Sequence, residues 1–130
     1  SKYVAGARAV ADIVVVMVHG GTEYRGRPNG AQRAFAAAAI DAGAALVLGH
    51  HPHVLQGYMR REGTLVAFSL GNFLFARFDG AANDTAILDV TLTPDGVTSL
   101  HWIPLVIEGG VPRPAVGPEI PRVMGRLPAL

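Results

Sequence analysis

The sequence has 130 residues, half of them hydrophobic, and a formal net charge of +1. That length supports one ordinary hydrophobic core, and the balanced charge leaves no electrostatic footprint for nucleic acid or an anionic membrane surface. There is no cysteine, which excludes disulfides, thiolate ligands and a cysteine nucleophile, so any metal must be held by nitrogen and oxygen.

In chain order, Val4, Ala7, Val10 and Ala11 fall at spacings of three and four and predict the tail of a helix over residues 2–11. Asp12 then precedes Ile13-Val14-Val15-Val16-Met17-Val18, a β-branched run closed by Gly20-Gly21. Such a run, apolar on both faces, predicts a buried, central, parallel strand. No apolar stretch approaches the roughly 20 residues that span a bilayer, and Ser1 opens no charged-then-apolar leader, so neither a membrane segment nor a signal peptide is expected in this chain.

The breakers between Thr22 and Gly30 predict a loop, and Ala31 to Ala42 is a helix by propensity, with Gly43 where a C-terminal cap belongs. Ala45 to Gly49 is a second apolar run, so residues 12–49 spell a βαβ unit. Arg60-Arg61-Glu62-Gly63 reads as a solvated hairpin-like turn before a third strand, Thr64 to Leu70, which ends in Gly71-Asn72-Phe73. Ala86 to Leu92 and Val97 to Val106 flank Pro94-Asp95-Gly96, a signal for a hairpin or a slightly longer turn. Residues 111–130 hold Pro112, Pro114, Pro118, Pro121 and Pro128, which predicts an extended tail with little room for helix or central strand.

Four of the five histidines fall in two places, His19 and the cluster His50-His51-Pro52-His53, and both follow predicted parallel strands. Open α/β sheets position their ligand-binding loops at those strand ends. Neighbouring strands lie about 4.8 Å apart, so His19 and a histidine of the cluster can share one ion. Pro52 pushes His51 towards extended geometry, where side chains alternate; in a turn the same side chains can straddle one or two ions. Neutral imidazole suits zinc, manganese or iron rather than calcium. A histidine at a strand end is more often a hydrogen-bonded loop residue, and His101 beside Trp102 is read that way. Glu23 is a candidate either for orienting an imidazole or for a carboxylate on the substrate side, against the plain reading of a solvated loop charge. Asn72 reads first as turn chemistry. Asp79 and Asp84 could be ligands by type, but their spacing specifies nothing. No nucleophile elbow and no Walker-type loop occurs.

Three blocks carry a resemblance: Asp12 to Tyr24; Asp41 to Gln56, which contains Gly49-His50-His51-Pro52-His53; and Phe68-Ser69-Leu70-Gly71-Asn72-Phe73-Leu74-Phe75. In order and spacing they resemble the poly-gamma-glutamate capsule synthesis family, often called CapA, of the calcineurin-like metallophosphatase superfamily. The resemblance covers roughly residues 2–110. It implies a two-sheet αββα sandwich with a dinuclear metal centre at the strand ends. Position by position, His19 takes the superfamily's single later histidine, and His51 with His53 fits its His-x-His, with His50 as the fallback ligand. Gly20 stands where the family usually has tryptophan, which alters a pocket wall and leaves the ligand untouched.

The early motifs that would supply two aspartates and an Asn-His pair are absent. The resemblance therefore implies the C-terminal half of the domain over residues 1–110, with 111–130 as the extended proline-rich tail. The fold expected is α/β, half of the sandwich, a βαβ unit followed by mainly antiparallel strands. Two ions (manganese, iron or zinc) are expected in the complete domain and at most one, weakly held, here, because close cations without a bridging carboxylate repel. The function implied is two-metal hydrolysis of a phosphoester in capsule biosynthesis, with the fragment alone inactive. The alternative is a non-hydrolytic, metal-containing component that handles an anionic envelope polymer. The partners implied are the missing N-terminal half and that polymer or phosphoester, and the location implied is the bacterial cell envelope.

Overall fold

The computed structural model describes residues 2–75 and 79–130. A short helix, α1 (Lys2–Arg8), leads into strand β1 (Val15–His19), helix α2 (Gly30–Asp41) and strand β2 (Leu46–His50), which is the expected βαβ unit. Helix α2 starts with a reciprocal cap: the Asn29 side chain accepts from the Gln32 N–H, and the Gln32 side chain accepts from the Asn29 N–H. It ends at Gly43, whose φ of 90° is the left-handed geometry that closes helices.

Strand β3 (Leu55–Arg61) and strand β4 (Thr64–Leu70) follow as a hairpin. Glu62 and Gly63 both have positive φ, the requirement of a tight two-residue turn between twisted strands. The first sheet has the order β1-β2-β4-β3, parallel except for β3. Strands β5 (Asp84–Thr93), β6 (Gly96–Glu108) and β7 (Val111–Pro114) form a second, antiparallel sheet. Two sheets with helices against them are the layers expected of a partial metallophosphatase-like α/β domain.

One core lies between the first sheet and its helices, with Val14, Ala36, Ile40, Val47 and Phe68; the other lies between the two sheets, with Leu55, Ala67, Ala86, Trp102 and Val106. Strand β1 is not central as its composition predicts. It is the margin of the sheet: Val16 and Val18 pack on the helix-side core, while Val15 and Met17, in register with Leu46 and Leu48 on the opposite face, are 45% and 70% exposed. An apolar run records what can be buried, and the neighbours that bury it are set elsewhere in the fold.

The proline-rich tail is also a correction. After the edge strand β7 it turns into helix α3 (Glu119–Met124), and Val123 is fully buried in the core between the sheets. Pro118 sits at the helix N-cap and Pro121 within its first turn, where the missing N–H has no intrahelical partner to lose. Arg113 bonds Glu119 through its two terminal guanidinium nitrogens, and this hydrogen bonding holds the Glu119 carboxyl pKa down at about 2.

The last residues then run beside β3: Tyr58 N–H donates to the Pro128 carbonyl at 3.1 Å, and Leu130 N–H donates to the Tyr58 carbonyl at 2.9 Å. Gly57 makes this possible, since a Cβ there would lie 2.4 Å from the Pro128 carbonyl oxygen. Gly57→Ala is expected to release residues 128–130 while leaving the sheets folded, costing about 1–2 kcal/mol. Faster amide exchange confined to Tyr58 and Leu130 would show it; unchanged protection would refute it. Among the described residues no helix is long and apolar enough to cross a membrane.

Candidate functional site

The parallel pairing of β1 and β2 ends with His19 opposite His50, and Gly20 N–H continues the ladder to the His50 carbonyl at 2.9 Å. Residues in register share a face of the sheet, so the two histidines stand side by side at the carboxyl ends of their strands. The chain then bends through Pro52, which is fully buried. His51 has φ 104°, so it is not extended as the following proline suggests; proline restrains the ψ of its predecessor and leaves the sign of φ to the turn. His53 and Tyr24 both have φ 58°. Left-handed backbone at such residues costs on the order of 1–3 kcal/mol each and persists only where surroundings impose it. Here Tyr24 N–H is tied to the Pro52 carbonyl at 2.8 Å, so the loops after β1 and β2 hold each other.

This turn gathers the rings. The His19 and His51 ring centres are 5.0 Å apart, and those of His51 and His53 are 6.1 Å apart. His53 also stacks on Tyr24 at 6.0 Å and meets Phe75 edge-on at 5.6 Å. Asn72, just past β4, fixes the His53 ring. Its Nδ2 donates to the carbonyls of His53 and Ala82, which identifies Oδ1 as the acceptor facing His53 Nδ1 at 2.8 Å. In the neutral ring this bond places the proton on Nδ1 and leaves the lone pair to Nε2. Thr85 Oγ1 donates to the Asn72 carbonyl and anchors that residue in turn.

His50 is held below the ordinary imidazole range, first by burial and then by the proximity of His19. It is a neutral ring, and its buried Nε2 has no hydrogen-bond partner among the described residues. An orphaned imidazole nitrogen on the residue paired with His19 fits the donor chemistry of a borderline divalent cation. His19 and His51, with ring centres 5.0 Å apart, are the two imidazoles that would be near enough to donate to one ion. Among the described residues, however, no three His, Asp or Glu groups converge as a ready-made ion cage.

The carboxylates stand apart. Glu23 is exposed in the loop after β1, and among the described residues no hydrogen bond or ion pair joins it to a histidine. Asp79 is exposed before the short 3-10 turn Gly80–Asn83, and Asp84 is buried under Arg122 and Arg126 at 2.9 and 2.6 Å. His101 is exposed in β6 opposite Asp89. Asn72 is the group that sequence reasoning undervalued. The available signal was its position directly after the third parallel strand, on the same line of strand ends as the histidines.

Beside this cluster a groove of about 670 Å³ opens between the loop after β1 and the tail, lined by Tyr24, Arg25, Arg27, Val54, Leu55 and Arg126 among others. Its rim is held from below: the buried Gln56 side chain donates to the Arg25 carbonyl at 2.7 Å and accepts from Gln32 Nε2 at 2.8 Å.

The fold and site together define an α/β domain whose histidines collect at the carboxyl ends of two parallel strands, the position where such sheets hold ligands. The chain belongs to the bacterial capsule synthesis protein family PGA_cap, whose profile matches residues 1–77. It is 41% identical over 104 residues to the capsule biosynthesis protein CapA of Bacillus anthracis, covering 80% of this chain and 25% of that protein. It is 40% identical over 111 residues to the PGA biosynthesis protein CapA of Bacillus subtilis (strain 168), covering 85% of this chain and 29% of that protein. The chain thus spans little more than a quarter of the length of these relatives.

Proposed function

We propose that this chain works in the synthesis of a bacterial capsule polymer at the cell envelope, and that its histidines form one side of a two-metal site for phosphoester hydrolysis in the complete domain. The observation that carries this reading is the convergence of His19 and His51 at 5.0 Å, beside the orphaned nitrogen of His50. His19, His51 and His53 would hold manganese, iron or zinc, with His50 as the alternative to His51. Bound ions of this kind lower the pKa of water and polarise a substrate oxygen.

The chain's own residues would prepare that chemistry. Asn72 keeps the His53 lone pair on Nε2, the role that outer hydrogen-bond partners play for ligating histidines. Glu23, exposed and apart from the rings, suits the substrate side better than the orienting role that Asn72 fills. The aspartates and the Asn-His pair of the resemblance would come from a segment outside this chain. A second reading, in which the site holds an anionic polymer without cleaving it, is favoured by the arginine-lined groove.

Elemental analysis of a complete domain containing this segment tests the proposal. His51→Ala and His53→Ala are each expected to lose at least half of the bound metal at unchanged helix and strand content. Wild-type metal in both variants would refute the assignment. Turnover of a generic phosphodiester, abolished in the same variants, separates hydrolysis from polymer holding.

A further inference from the structure

We infer that the cavity between α2 and the carboxyl ends of β1, β2 and β4 is a binding site for one small aromatic ring. It is a space of about 140 Å³ on the helix side of the first sheet, separate from the arginine-lined groove. Val18, Val47 and Val66 come to it from three neighbouring strands, and Phe35 and Ala36 from α2. Ala31 and Phe35 are the exposed members of its lining and mark its mouth.

The space exists because of a glycine. Gly20 donates its N–H to the His50 carbonyl, and nothing lies within 4 Å of the position its Cβ would take. Side chains alternate along a strand, and Val18, two residues earlier, packs on the helix-side core, so a side chain at position 20 would enter the cavity. The other two glycines of the wall lack this freedom. A Cβ on Gly21 would lie 2.8 Å from the Gln32 side chain, and one on Gly49 would lie 2.0 Å from the Phe68 carbonyl oxygen.

The chemistry of the wall selects the ligand. Gln32 is its one polar side chain, and that amide is already used: Oε1 accepts from the Asn29 N–H, and Nε2 donates to Gln56 Oε1 and to the Phe68 carbonyl. An ordered water needs two to four polar partners, which these side chains do not provide, whereas an engineered apolar cavity of about 150 Å³ stays dry and takes up benzene. Phe35 and Phe68 both line the space. Rings in contact gain stability beyond their buried area through edge-to-face and offset packing, which favours an aromatic ligand over an aliphatic ring of similar size. A ring seated there meets Gly20 and Gly21, which follow His19, and Gly49, which precedes His50, so occupancy stiffens the backbone that carries both histidines.

Toluene is the probe, added to the chain and to a complete domain containing it, and read by amide chemical shifts and thermal unfolding. Saturable binding with a Kd of about 1 mM or tighter is expected, with shifts centred on Gly20, Gly21, Gly49 and Phe68. Cyclohexane should bind at least about fivefold more weakly. Gly20→Phe places a tethered ring in the space and is expected to abolish toluene binding while raising the melting temperature. Phe35→Ala, at a position 40% exposed, keeps the fold and should weaken toluene binding at least about fivefold. Toluene bound by the chain and excluded from the complete domain would identify the ring as a side chain that the rest of the polypeptide supplies; binding by both would identify a free small molecule. No saturable binding by either protein, cyclohexane bound as tightly as toluene, or full toluene binding in Gly20→Phe would each overturn the proposal. Should Gly20→Phe fail to fold, unchanged affinity in Phe35→Ala overturns it instead. None of these outcomes touches the metal assignment, which is read by elemental analysis.

Discussion

Gly49→Ala is expected to destabilise the chain by about 3 kcal/mol or more, enough to remove much of the stability of a domain this size. Gly49 lies in β2 between Leu48 and His50, and a Cβ on it would sit 2.0 Å from the Phe68 carbonyl oxygen and 2.7 Å from the Phe68 carbonyl carbon. Both atoms belong to the backbone of β4, so no side-chain rotation relieves the clash. The β2 and β4 ladder, which pairs Leu46 to Leu48 with Leu65 to Ala67, must open at its last step. The control lies at the end of the adjacent strand: Gly20 has nothing within 4 Å of its Cβ position, so Gly20→Ala should change stability by no more than about 0.5 kcal/mol. Urea unfolding of both variants gives the comparison. Equal midpoints would show that β2 and β4 do not approach as closely as described. Because His50 follows Gly49 directly, any Gly49→Ala protein that folds should also hold its histidines out of place.

That glycine illustrates what a sequence carries and what it hides. The βαβ unit was legible because apolar runs, an alanine-rich helix and Gly43 are local signals, and the Asp95-Gly96 turn between β5 and β6 was legible for the same reason. Strand β3 was not. Gln56, Gly57, Arg60 and Arg61 break the apolar pattern, and the strand is held by β4 on one side and by residues 128–130 on the other, a partnership only the folded chain reveals. The place of β1 at the sheet margin was hidden likewise, since Val15 and Met17 would read the same in the middle of a sheet.

The site divides along the same line. His19 and the His50 to His53 cluster could be singled out because residue type and position after a strand are both visible in sequence. The left-handed turn at His51 could not, because Pro52 alone argues for extended backbone. Nor could the groove, whose arginines come from the loop after β1 and from the far end of the tail. Asn72 stood between these cases: its position pointed to the site, and its Gly-Asn context offered a sufficient local explanation that concealed the bond to His53.

The tail gives the second large effect, and its asymmetry makes it decisive. Asp84 is 2% exposed and is bound by Arg122 and Arg126, whose side chains are 50% and 35% exposed. Arg122→Ala/Arg126→Ala leaves an ionised carboxylate buried without its cationic partners and should cost about 3–5 kcal/mol. Asp84→Asn leaves two guanidiniums that can turn to water, and the amide keeps the volume and a hydrogen-bonding oxygen, so the cost should be about 1–2 kcal/mol. Removing two cations is thus expected to hurt more than neutralising the one anion between them, although a simple count of lost ion pairs is the same for both. Urea midpoints in that order would establish that Asp84 is the buried member on which the docking of α3 depends. The reverse order would mean that the tail is held by Val123 and Leu127 packing against the core, with the ion pairs contributing little.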